Sequence, residues 1–199
     1  MPFGKQLPIF VLSLVISTIA FTQTQSQTLP NTPNYSSKTT LLANEYDLKA
    51  TFIFKFIDYI EWNSPVPSDS IRIAVIGTSN IISPLKLAAK QKDIQNKPVA
   101  LYFYSNLTEA TLSAMEKRKV QLIFVAKSVQ TTTVQKLVRS AVSKNALIVG
   151  EREGFTREGG HLNFINQDDK IRFETSPASF SNCTFKLSHQ LLRLAQIVS

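Results

Sequence analysis

Acidic and basic side chains alternate through Gly150-Glu-Arg-Glu-Gly-Phe-Thr-Arg-Glu-Gly-Gly160, and this run is where the chain concentrates groups able to do chemistry. Glu151 and Glu153 stand two apart, so on an extended backbone they aim to one side, as a pair of acid and base carboxylates would. Arg152 and Arg157 add guanidinium forks that hold carboxylate or phosphate in two-point contact. Glycines at 150, 154, 159 and 160 admit backbone geometries that other residues resist. The run fits neither G-x-G-x-x-G nor a P-loop, because no Lys-Ser/Thr pair closes it. Two readings stand: a solvated loop whose charges pair among themselves, and a loop that contacts a ligand or a partner protein. Arg172, two residues before Glu174, is a further anion-holding candidate or a member of an internal ion pair.

Other chemistry finds little material. The histidines, His161 and His189, are not spaced for metal binding and have no Cys or acid cluster beside them. No G-x-S-x-G nucleophile elbow occurs. The residues themselves therefore point to no metal, no cofactor and no catalytic group. An enzyme acting on cell-wall polymers would need a paired-carboxylate cleft built on Glu151 and Glu153. Cys183 is the one cysteine, which excludes an intramolecular disulfide. It reads as an inert thiol within a helix, with an intermolecular bridge as the alternative.

These groups need a scaffold, and the chain of 199 residues is long enough for one covered core. Residues 1–22 read as a signal peptide, with Lys5 before an apolar run from Leu7 to Phe21 and a cleavage site between 20 and 26. Residues 23–43, rich in Gln, Thr, Ser, Asn and Pro, read as a flexible tail. Residues 44–199 form the domain. The formal charge of +8 is scattered apart from Lys117-Arg118-Lys119, which speaks for solubility rather than for nucleic acid.

Within the domain, Tyr46, Ala50, Ile53, Ile57 and Ile60 recur at helical spacing, and Phe52, Phe56 and Tyr59 add a second apolar stripe. The spacing predicts a helix over 44–62 that is apolar nearly all round, with Asp47, Thr51, Lys55, Asp58 and Trp62 on its narrow polar side. It is either buried within its own domain or offers Phe52, Phe56 and Tyr59 to a second protein. Pro65 and Pro67 end it in a turn. Strands follow at 71–77, 98–104, 120–125 and 146–149, alternating with helices at 81–92, 108–118 and 131–143. Leu162–Ile165 and Ile171–Glu174 flank a turn at Asn166–Asp169 and read as a hairpin. Pro177 opens a last helix on which Phe180, Leu187, Leu191, Leu194 and Val198 form one stripe. The order implies an α/β single-domain sandwich, a mixed sheet with helices on both faces.

Lys49–Trp62, the strand Ile71–Gly77, the segments Gly154–Phe164 and Ile171–Glu174, and the closing Phe185–Val198 together resemble the YfiR/HmsC family, over residues 44–198 and in the expected order. The resemblance implies a non-catalytic periplasmic protein that binds the periplasmic sensory domain of a membrane-bound diguanylate cyclase and represses it. Cyclic di-GMP and biofilm output would fall. It also implies a homodimer. Disulfide-based redox sensing does not carry over, since Gln121 stands where members often have Cys. Partner contact is assigned to Phe52, Phe56, Tyr59, Glu151, Arg152, Arg157 and Arg172. The competing reading is a periplasmic small-molecule binding or sensory module, with the Gly154–Gly160 loop closing over its ligand.

Overall fold

Three runs of consecutive apolar residues, 73–76, Leu122–Val125 and 147–149, become the centre of a sheet because both of their faces are covered. The computed structural model describes residues 35–63 and 69–199, with side chains from Glu45 onward. The expected signal peptide and the Pro65–Pro67 turn lie outside the described residues. Helix α1 (Tyr35–Asp58) is followed by β1 (Ile60–Trp62), β2 (Ile71–Ile76), α2 (Ile82–Gln91), β3 (Val99–Tyr104), α3 (Glu109–Lys117), β4 (Leu122–Val125) and α4 (Thr131–Arg139). Then come β5 (Leu147–Gly150), β6 (Leu162–Gln167), β7 (Lys170–Thr175), β8 (Phe185–Leu187), α5 (His189–Leu194) and β9 (Gln196–Ile197).

Seven strands form one mixed sheet in the order β3-β2-β4-β5-β6-β7-β9, and β1 pairs with β8 in a separate ribbon. From β3 to β6 every neighbour is parallel; β7 returns antiparallel to β6. Alternate residues along the strands feed two cores. Ile73, Val75, Leu122, Phe124, Leu147 and Val149 pack under α1, α2, the ribbon and α5. Ala74, Ile76, Ile123, Val125 and Ile148 pack against α3 and α4. The fold is thus the α/β sandwich with helices on both faces that the pattern implies. The hairpin is tighter than expected: β6 and β7 pair out to Gln167 and Lys170, and Asp168 and Asp169, at φ 53° and 56°, make the whole turn. Short acidic side chains tolerate that left-handed geometry.

Three expectations are corrected. Helix α1 begins at Tyr35, inside the stretch 23–43 read as a tail, and ends at Asp58, so that Trp62 is in a strand. Residues 131–143 divide into α4 and a 3-10 turn, Ala141–Lys144. The last helix, from Pro177, does not exist as such. A 3-10 turn (Pro177–Phe180) leads through Cys183 to β8, and only then to α5. Strand pairing wins there because Phe185 lies opposite Trp62 on β1, with ring centroids 5.2 Å apart. Ser188 then caps α5 by accepting from the Leu191 N–H.

The polar side of α1 is as expected at Asp47, Thr51, Lys55 and Asp58, all exposed. Its aromatic stripe is not an outer surface. Phe56 is 1% exposed, stacked 5.5 Å from Phe164 and edge-on to Phe173 at 5.0 Å. Phe52 is half-buried beside the same three rings, and Tyr59 is half-buried against the same core. The sheet and the ribbon wrap α1 on two sides, so Phe56 is a core residue and is withdrawn as a partner contact. Phe56→Ala should cost about 3–5 kcal/mol of unfolding free energy in chemical denaturation, the range for deleting a buried aromatic ring.

Candidate functional site

The strand order reverses direction around β2: the chain moves outward to β3, then crosses back to β4. Crevices open at the carboxyl ends of strands where such a reversal occurs. Here the loops after β2, β4 and β5 supply Ser79, Lys127 and Glu151 at that edge. A cleft of about 550 Å³ lies beside them, lined by Glu45, Tyr46 and Lys49 of α1, by Glu153, Thr156 and Arg157 of the loop after β5, and by Asn163, Phe164 and Glu174 of the hairpin.

At its base is an ionic cluster. The Lys49 ammonium lies 2.8 Å from Glu151 and 2.6 Å from Glu45, one helical turn away. The Glu151 side chain is 2% exposed, and its other oxygen accepts from the Ser79 hydroxyl at 3.1 Å. Lys49 also sits 4.6 Å from the Tyr46 ring centroid, a cation–π contact. Burial alone would push the Lys49 pKa down, but the hydrogen bonds and charges of Glu151 and Glu45 outweigh it, and the value lies above the usual lysine range. Burial and the Glu151 charge likewise hold the Tyr46 phenol above its ordinary value. Lys49 is therefore a fixed cation, with no free lone pair for nucleophilic or base work.

The glycine-rich run owes its composition to packing. The Phe155 ring is buried in the second core between Gly150 and Gly160, where an added Cβ would come within 2.4 Å and 2.2 Å of ring carbons. The loop is then tied down from within. Arg152 pairs with Glu158 and donates to the Val129 carbonyl at 2.8 Å, and Glu158 accepts from Thr131. Asn163, fully buried, accepts from the Arg152 N–H and donates to Glu174, which also accepts from Thr156.

The expected site residues thus separate. Glu151 is buried in an ion pair and Arg152 is spent within the loop. Arg157 is exposed and lines the cleft with Glu153. Arg172 is exposed on β7, cross-strand from Ile165, with no ion pair among the described residues. Phe52, Phe56 and Tyr59 belong to the core of α1. Sequence reasoning missed Lys49, Ser79, Asn163 and Glu174. The Glu45–Lys49 spacing was the one available signal, a helical i,i+4 ion pair. Among the described residues no three His, Cys, Asp or Glu side chains are grouped to hold a metal ion.

Away from the cleft, His161 and Cys183 meet with Nε2 3.3 Å from Sγ. The Nδ1 of His161 accepts from the Ile148 N–H at 2.9 Å, so the ring proton is on Nε2 and points at the sulfur. A histidine in that tautomer cannot take the thiol proton. Burial pushes the thiol up to about 11 and the imidazole down to about 3. Cys183 is an inert, half-buried thiol in an irregular segment rather than a helix.

His161 makes folding sensitive to acid. Below its ordinary value of 6.5 the unfolded chain binds a proton that the folded chain refuses until about pH 3. Stability should therefore fall with pH across that window, by about 1.4 kcal/mol per unit from this residue. Urea unfolding at about pH 6 and pH 5 should show a shallower pH slope for His161→Gln than for the wild type. Equal slopes would mean that His161 takes up its proton in the folded protein.

No curated protein matches the chain. Among the described residues no helix is long and apolar enough to cross a membrane. A family model described as YfiR/HmsC-like matches residues 46–196, a span that includes Lys49 and Glu151 of the ionic cluster, the loop over Phe155 and the hairpin. The chain belongs to the YfiR/HmsC-like family, known as periplasmic regulators in cyclic di-GMP signalling.

Proposed function

We propose that the protein is a periplasmic, non-catalytic regulator that binds the sensory domain of a membrane-bound diguanylate cyclase and represses it, lowering cyclic di-GMP and biofilm output. The observation that carries this reading is the family match over 46–196. A site whose polar groups are committed to one another is consistent with it. Lys49 is locked between carboxylates, and Glu174 is held by Thr156 and Asn163. Such a site presents a fixed pattern of charge, which suits recognition rather than turnover. Repression would work by population shift: the regulator binds one conformation of the sensor more tightly than the other, and a few kcal/mol of difference suffices.

The exposed groups that remain from the expected contact set are Arg157 at the cleft and Arg172 on β7. Arg157 is the best test, since its substitution leaves the core untouched. A small-molecule reading keeps one supporting observation, the cleft of about 550 Å³, a volume within the range of ligand sites. Its carboxylates, Glu45, Glu151, Glu153 and Glu174, nearly balance Lys49, Lys127 and Arg157, so it suits a ligand carrying both charge signs.

Crosslinking capture from native membranes, with the mature chain from about residue 27 as bait, should recover an inner-membrane protein bearing a cytoplasmic cyclase domain. Arg157→Glu bait, folded by circular dichroism, should lose it. A folded wild-type bait that recovers no cyclase would overturn the regulator reading, and a thermal shift with zwitterionic metabolites would then favour the small-molecule module.

A further inference from the structure

Folding gathers positive charge at one side of the main sheet. Residues 82–119, running from α2 through β3 to the end of α3, hold seven Lys and Arg against three Asp and Glu, half of the chain's net +8. The two helices flank β3, α2 on the face of the first core and α3 on that of the second. On the first face the Lys86 ammonium lies 5.0 Å from the ring of Phe103, which is 40% exposed. On the second, Arg118 stacks over Tyr102 at 5.0 Å. Beside that pair runs a groove of about 690 Å³, walled by Lys117 and the small side chains of Ala110, Ser113 and Ala114. Among the described residues no carboxylate lines it.

Nearby acids are already matched elsewhere. Asp69 holds the Arg72 guanidinium with both oxygens, and Glu109 lies 2.7 Å from Lys136 of α4. Lys117 and Arg118 make no ion pair among the described residues; the Arg118 side chain only donates back to the Ala114 carbonyl, at 3.3 Å. Cations at a helix end offset its dipole, but Lys119 goes further. It holds φ 50°, the left-handed position where glycine is least strained. Charge is kept there against a backbone cost.

The strand between these cations is itself unpaired. β3, Val99-Ala-Leu-Tyr-Phe-Tyr104, has no proline, glycine or charge, and among the described residues no strand pairs with its outer side. The carbonyls of Pro98 and Tyr104 both accept from β2, each at 2.9 Å. Backbone direction alternates along a strand, so Val99, Leu101 and Phe103 turn their N–H and C=O groups outward.

We propose that β3 takes up an added strand from another protein, an extended segment with carboxylates at alternate positions. The three outward residues give it about six backbone hydrogen bonds. Side chains of an added strand alternate between the two faces. One set, acidic, lies over the groove and meets Lys117 and Arg118; the other, apolar, covers Phe103. The backbone bonds supply affinity with little sequence preference, and the cations select the charge. A second copy of β3 fits poorly, because it adds cations where carboxylates are needed. An anionic lipid surface would match the cations but leave the outward N–H row unused. The inference does not rest on the cyclase reading.

Fluorescence anisotropy of a labelled peptide, Thr-Glu-Val-Glu-Val-Glu-Thr, titrated with the mature chain tests it. The wild type should bind this peptide saturably. The lysine counterpart, Thr-Lys-Val-Lys-Val-Lys-Thr, should bind at least about tenfold more weakly. So should the acidic peptide N-methylated along its backbone, which keeps its charge but cannot pair. Arg118→Glu, an exposed change that leaves the fold intact, should weaken the acidic peptide by about tenfold. A wild type that does not bind the acidic peptide would overturn the proposal. Equal binding of the N-methylated peptide would also overturn it, leaving a basic surface of the kind that anionic phospholipid vesicles occupy. So would an affinity unmoved in folded Arg118→Glu.

Discussion

Glu151 follows the last residue of β5 directly, so its carboxylate enters the interior wherever the sheet goes. A carboxylate taken out of water costs several kcal/mol unless an opposite charge and hydrogen bonds replace the solvent. Lys49 and Ser79 supply both. That requirement links three distant parts of the chain: the long N-terminal helix, the loop after β2 and the end of β5. Once Lys49 is committed there, α1 must lie across the sheet with Ile53, Phe56 and Ile57 facing down onto it, and Glu45 must stand at the rim of the cleft. The position of the helix, the burial of its aromatic stripe and the shape of the cleft are one consequence of one buried ion pair.

The loop after β5 adds rigidity to that arrangement. Its glycines leave room for Phe155 to pass between two backbone segments and fill the second core. The chain on either side is then pinned by Arg152, Glu158 and Asn163. A loop held from both ends displays Glu153 and Arg157 in fixed positions. For a regulator of the kind proposed, such preorganisation would avoid the entropy of ordering a flexible surface on binding.

Much of this architecture is legible in the residues. Residues 73–76 and Leu122–Val125 are apolar without alternation because helices cover both faces, and that pattern identifies inner parallel strands. The hairpin announces itself through Asp168–Asp169. The C-terminal segment misleads because Phe180, Leu187, Leu191 and Leu194 fall at helical spacing, while the alternation of Phe185 and Leu187 is only three residues long. What selects the strand is pairing with β1, more than a hundred residues away. The same non-locality hides the site. Glu45 and Lys49 are one turn apart and can be paired on inspection, whereas Glu151 is 102 residues from Lys49. Phe56 shows a related limit: periodicity tells which positions are apolar, but not on how many sides the helix is covered.

The most direct measurement is a double-mutant cycle on the buried pair, read as unfolding free energy. Lys49→Met leaves Glu151 as an uncompensated buried charge and should cost about 3–5 kcal/mol. Adding Glu151→Leu removes that charge, so the double variant should be more stable than Lys49→Met alone, with a coupling of about 1–3 kcal/mol. Costs that simply add would mean that Glu151 reaches water without Lys49, and that the pair does not hold α1 to the sheet.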